Sequence, residues 1–201
     1  MIIALAAAPF PPHRRNFTWS RYSAYCMLII MATVKSDFDL IFASLGKHSV
    51  RYLVVGGVAV VLHGHPRFTA DLDLVVALDR PNATAAIHAL ATLGYHPRPP
   101  VPAMDFTDPV KREEWIREKD LTVLGLWSPD FPATEIDLFV AEPFPFDLAY
   151  ERRTCAAIGA NSISVASIQD LIALKTKAGR TKDLEDIRAL QAILAHQENH
   201  G

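Results

Sequence analysis

Two aspartates separated by one leucine, Asp71-Leu72-Asp73, open a stretch in which residue types alternate as far as Val76. On a strand, alternate side chains leave the same face about 7 Å apart, because each residue advances the chain by ~3.3 Å. Leu72, Leu74 and Val76 therefore share one face, and Asp71, Asp73 and Val75 the other. Two carboxylates so placed repel each other and gain little from packing. A hard divalent cation between them removes the conflict, and Mg²⁺ takes one or two carboxylates together with phosphate oxygens. The competing explanation is two solvated charges on an exposed strand face. Upstream, the run Tyr52–Val55 stops at Gly56-Gly57, fourteen positions before Asp71 counted from Gly57. Glycines let backbone approach a phosphate closely, and N–H groups at a helix start face an anion. Together the two elements read as a nucleoside triphosphate site: backbone donors for the phosphates, carboxylates for the metal.

The elements that must position these residues follow from periodicity. Ser36-Asp37 offers an N-cap, and Phe38, Ile41, Phe42 and Leu45 repeat at helical spacing, predicting a helix over 37–46. Tyr52–Val55 predicts a short buried strand, 58–63 one or two helical turns, and 71–76 the aspartate strand. Pro81 opens a helix at the position proline tolerates best, and Gly94 closes it. Residues 97–109 hold five prolines without a period and read as a loop or lid. The charged stretch 111–120 reads as a solvated helix or turn. Residues 121–127 and 135–140 read as strands, joined across the Pro129/Pro132 turn, with Asp137 facing away from Ile136 and Leu138. A strand at 163–165, a helix capped by Ser167 and running to about Ala178, a break at Gly179 and a helix over 181–196 complete the chain. The expected fold is α/β (α+β), a small mixed β-sheet flanked by helices with a C-terminal helical segment. Residues 31–201 form one domain.

Strand, Gly-Gly, about a dozen residues, Asp-hydrophobic-Asp, then a carboxylate on a later strand: this order resembles the nucleotidyltransferase superfamily related to DNA polymerase β. Within it the chain is most similar to the AbiEii-like toxin group, because the segment 167–190, SIQDLIALKTKAGRTKDLEDIRAL, looks like that group's helix–Gly-Arg–helix segment. The resemblance spans roughly residues 50–190, with specific motifs only at its two ends. It implies that Asp71, Asp73 and Asp137 hold two Mg²⁺ ions, with Asp137 completing a metal shell or acting as base. It further implies that Lys175 reaches the nucleotide phosphates and that the reaction is an in-line displacement of pyrophosphate from a nucleoside triphosphate. A lysine among Leu171, Ile172 and Leu174 can equally snorkel from an apolar stripe. Arg180, Lys182 and Asp183 can line the same cleft. Arg67 and Thr69 fit a phosphate- or metal-adjacent loop, or an ordinary surface turn. The acceptor implied is RNA such as a tRNA 3′ end, or a protein, with a cognate antitoxin as possible partner. The rival is a non-catalytic nucleotidyltransferase-fold module or antitoxin partner, whose hallmark would be loss of the carboxylates. Gly57 departs from the serine common at that position.

Other chemistries are excluded or weak. His63 and His65 form only an H-x-H, short of the three or four ligands zinc needs. No nucleophile elbow or Walker-type loop occurs. Two cysteines, Cys26 and Cys155, are too few for a disulfide framework and indicate reduced thiols in a cytoplasmic protein. A formal net charge of −2 argues against nucleic-acid binding by bulk charge. Residues 1–30 carry Arg14, Arg15 and Arg21 and no acid, and their apolar stretch 2–10 is too short to span a bilayer. Patterned sequence starts just after Met31, so Met31 is the expected start and 1–30 an extension outside the fold.

Overall fold

The computed structural model describes residues 37–69 and 71–200. The expectations for residues 1–30, and for Met31 as the start, lie outside the described residues.

Helix α1 covers 37–47 and presents Phe38, Ile41, Phe42 and Leu45, all buried, at the predicted spacing. Strand β1, Tyr52–Val55, is buried at every position, which requires cover on both faces. Helix α2 then begins at Gly56 itself and runs Gly56–Leu62, two residues earlier than the sequence pattern indicates. Strand β2, Leu72–Val76, returns antiparallel to β1, with Val55 opposite Asp73. Helix α3, Arg80–Ala91, is capped by the Asp79 side chain, which accepts from Asn82 N–H at 3.0 Å, and its proline sits in the first turn as expected.

The proline-rich stretch is more ordered than a loop. It holds a short strand β3, His96–Pro97, and a 3₁₀ turn, Ala103–Thr107, anchored by fully buried Phe106. Helix α4, Pro109–Lys119, is closed by Asp120 in a left-handed conformation. Strands β4, Val123–Trp127, and β5, Ile136–Phe139, pair antiparallel across the predicted turn. Helix α5, Phe146–Glu151, and strand β6, Thr154–Ile158, carry no clear sequence period and were not expected from it. Strand β7, Asn161–Val165, precedes helix α6, Ile168–Ala178, whose Ser167 cap accepts from Asp170 N–H at 3.2 Å, as predicted. After Gly179 comes helix α7, Asp183–His200.

The strands form one seven-stranded mixed sheet in the order β3-β4-β5-β2-β1-β7-β6. Among the described residues, only β2–β5 and β1–β7 are parallel pairs. Thus the two aspartate-bearing strands, distant in sequence, are central neighbours. Helix α2 packs on β1 and β2 and touches α6, while α7 packs along α6.

Candidate active site

Asp73 lies directly opposite Asp137 across the parallel β2–β5 pair. Their flanking residues, Leu72, Leu74, Ile136 and Leu138, are fully buried, so both aspartates leave the sheet on the other face. Neighbouring strands stand ~4.8 Å apart, which fixes the scale of that pair. Asp71, exposed, lies one residue before β2. Burial first, then the negative charges of Asp137 and Asp71, raise the Asp73 carboxyl to about 6, against the pull of Lys175 and Arg180. Asp137 is also raised, first by burial and then by Asp71 and Glu135, with Arg98 and Arg180 opposing. The three carboxylates therefore feel one another, and Arg180 is a cation felt by both strand positions.

The two glycines have a packing reason as well as the one read from sequence. Gly56 has φ +64°, and a Cβ there would stand 1.9 Å from Oδ2 of Asp73. A Cβ on Gly57 would stand 2.6 Å from Oγ1 of Thr69 and 3.4 Å from the Arg67 guanidinium carbon. The start of α2 is thus pressed against the carboxylate strand and its lead-in loop. Val55, which precedes α2, supplies no side-chain cap bond.

A cleft of about 560 Å³ gathers every residue singled out from the sequence. Gly56, Gly57, Arg67, Thr69, Asp71, Asp73 and Asp137 form its floor and one side, and Lys175, Arg180, Lys182 and Asp183 another. The lining also includes the apolar side chains of Ile116, Leu121, Val123, Phe139, Val140 and Pro143, interleaved with Thr122 and Glu142.

Lys175 faces this cleft but is already engaged. Its buried Nζ donates to Asp183 at 3.1 Å and to Asp186 at 2.7 Å. Asp186 also pairs with the Arg67 guanidinium. A four-member ionic network therefore joins α6 and α7 to the loop leading into Asp71 and Asp73. Sequence reasoning missed Asp186. Its signal was present: Asp183, Asp186 and Leu190 recur at helical spacing, and Leu190 is fully buried. Of the histidines, His63 bonds through Nε2 to the carbonyl of Ala166 at 2.8 Å, a structural role.

Among the described residues, no group of three or more His, Cys, Asp or Glu side chains stands arranged to hold a metal ion. The donor chemistry at the cleft floor nonetheless fits a hard divalent cation: carboxylate oxygens on adjacent strands, with Asp137 and Asp71 raising the cost of ionising Asp73 and Asp71 raising that of Asp137.

No protein-family model matches the chain, and no curated protein does. Solved structures do. The chain is similar to a crystal structure of ANT(2″)-Ia in complex with adenylyl-2″-tobramycin, at a TM-score of 0.54 and 14% identity over 82% of this chain and 91% of that one. It is also similar to the lincosamide antibiotic adenylyltransferase LnuA with lincomycin bound, at a TM-score of 0.51 and 16% identity over 79% of this chain and 96% of that one. At such identities the likeness is one of fold. The mixed sheet flanked by helices is the nucleotidyltransferase fold, as the sequence resemblance implied.

Proposed function

We propose that the chain transfers a nucleoside monophosphate from a nucleoside triphosphate to a hydroxyl acceptor. The observation that carries this reading is the register of Asp73 against Asp137 on a cleft floor bordered by Gly56-Gly57. A hydroxyl oxygen attacks the α-phosphorus, a new P–O bond forms, the bond to the bridging oxygen breaks, and pyrophosphate leaves with that electron pair. The hydroxyl proton passes to Asp137, whose affinity for protons is raised by burial and then by the charges of Asp71 and Glu135. Backbone N–H groups of Gly56 and Gly57 and the Thr69 hydroxyl orient the phosphates, and Arg180 and Lys182 balance their charge. Asp71 and Asp73 would hold Mg²⁺, which when bound would supply charge neutralisation at the attacking and leaving oxygens.

The resemblance to AbiEii-like toxins supports RNA or protein as acceptor and a toxin role with a cognate antitoxin. A specific observation favours a second reading, a small hydroxyl compound. Ile116, Leu121, Val123 and Phe139 add apolar surface to the cleft's lining, and its 560 Å³ is in the range of small-molecule sites. The experiment is incubation of the protein with each α-³²P-labelled nucleoside triphosphate and Mg²⁺, separately with RNA, protein and small-molecule fractions. Label in one fraction establishes transfer and names the acceptor class. Absence of label from all three, with nucleotide still bound, would overturn the reading in favour of a non-catalytic module.

A further inference from the structure

The sheet face that carries the aspartates continues past them, from β5 onto β4 and β3. Gly125 on β4 lies opposite Asp137, and Arg98, just after β3, donates its backbone N–H to the Gly125 carbonyl at 2.9 Å. Arg98, Gly125, Asp137 and Asp73 therefore stand in one row across the sheet. A Cβ on Gly125 would lie 3.4 Å from Oδ1 of Asp137 and 3.8 Å from Cδ of Arg98. The missing side chain leaves a notch between the carboxylate and the arginine, on the β4 side of Asp137 and away from Gly56.

Two side chains border this notch. The Arg98 guanidinium pairs with Glu135 through Nη2, and both side chains are about half exposed, a kind of ion pair that adds little to stability. Among the described residues its Nε and Nη1 bond to nothing, so donors remain for a ligand. One row along, His96 lies opposite Trp127. Strand β4 alternates, with Leu124 and Leu126 buried on one face and Val123, Gly125 and Trp127 on the other. Trp127 thus follows Gly125 on the aspartate side, about 7 Å further along the strand. Its ring is 40% exposed and is held edge-to-face by His96 at 4.4 Å between centroids. The His96 ring is fixed in turn, with Nδ1 3.0 Å from the Gly94 carbonyl. An oriented, open indole beside a guanidinium with spare donors suits a planar ring on the one and an oxyanion on the other.

We propose that this shelf is where the hydroxyl acceptor docks: its hydroxyl reaches Asp137 over Gly125, its anionic oxygen meets Arg98, and its planar ring stacks on Trp127. A nucleotide, free or at the end of a strand, carries all three groups. The inference rests on the transfer reaction proposed above and names the chemistry of its acceptor. Arg98 and Trp127 select that acceptor, while the nucleoside triphosphate lies on the other side of Asp137, against Gly56 and Gly57.

The test compares wild type with Arg98→Ala, Arg98→Lys, Trp127→Ala and Gly125→Val. Each receives α-labelled nucleoside triphosphate and Mg²⁺ with short single-stranded RNA, free nucleoside monophosphates, a protein extract or a polyhydroxy amine. Triphosphate binding is measured alongside by calorimetry. Label enters the RNA or the free monophosphates, and which of the two takes it identifies the source of the nucleotide. Arg98→Ala and Trp127→Ala each raise the KM for that acceptor about fivefold or more, the low end for a lost stacking contact. Arg98→Lys recovers part of the loss, Gly125→Val lowers transfer, and every variant binds the triphosphate as wild type does. An acceptor KM unmoved in both alanine variants, or triphosphate binding weakened in step with it, overturns the proposal. Label confined to protein or to the polyhydroxy amine overturns the shelf and leaves the transfer reaction standing. No label anywhere, from a wild type that binds triphosphate, overturns the transfer reaction and the shelf with it. Arg98 and Trp127 are exposed, so their variants decide should Gly125→Val not fold.

Discussion

At the residue scale, Asp73 carries opposing demands: it is pressed against Gly56 inside the protein, yet the chemistry needs it ionised. Its folded value of about 6 against an ordinary 3.8 means that the folded state prefers the protonated form. The stability this contributes is fully present below pH 3.8 and is lost as pH rises through about 6. Metal-free protein in EDTA should therefore lose on the order of 2–3 kcal/mol from this group between pH 4 and pH 7. Asp73→Asn should flatten that part of the profile, as urea unfolding across the pH range will read. Gly56 makes a sharper prediction. Alanine there must adopt φ +64° and put its Cβ 1.9 Å from a carboxylate oxygen. Gly56→Ala should cost at least about 2 kcal/mol and displace Asp73 from the cleft floor. Gly46→Ala, with nothing within 4 Å of the new methyl, should be near neutral. Equal melting temperatures for the two variants would remove Gly56 from the account.

At the element scale, the paired aspartates were legible from strict alternation, and Leu72 and Leu74 are fully buried while Asp73 is not, although Val75 on the aspartate face is buried as well. The adjacency of β2 and β5 was not legible. More than fifty residues separate Asp73 from Asp137, and strand order is a long-range property that no local period encodes. Strand β6 escaped for the opposite reason: as an edge its residues are mostly exposed, so burial imposes no pattern on Thr154–Ile158. The ionic network around Lys175 lies between these cases, since its members are legible on α6 and α7 but their closure onto Arg67 is not. It joins a lysine and two carboxylates that are nearly inaccessible, at 8%, 10% and 4% side-chain exposure. Removing one partner strands the others. Asp186→Ala should cost about 3 kcal/mol, and replacing both partners, Lys175→Met with Asp186→Leu, should recover much of it. Chemical denaturation of Lys175→Met, Asp186→Ala and the double Lys175→Met/Asp186→Leu variant checks this; a double variant as unstable as the sum of the two single changes would deny the coupling.

At the scale of the whole molecule, one sheet brings residues from six segments to one cleft, and the α2 start, β2, β5 and the α6–α7 junction all converge there. The acidic side of that cleft is held together against its own repulsion, which a bound divalent cation relieves. Saturating Mg²⁺, at about 100 times its dissociation constant, should stabilise the wild type by roughly 2.7 kcal/mol. That corresponds to a rise in melting temperature of roughly 5–10 °C for a chain of this size. Asp71→Asn should show a clearly smaller rise in the same scanning-fluorimetry titration, and an equal rise would place the cation elsewhere. The most direct test of the central claim is transfer itself, comparing wild type with Asp73→Asn for release of pyrophosphate and appearance of α-labelled product. The account predicts product from the wild type and at least about a hundredfold less from a folded Asp73→Asn protein, the scale lost when an electrostatic group of the reaction is removed. Equal rates from the two proteins would contradict it.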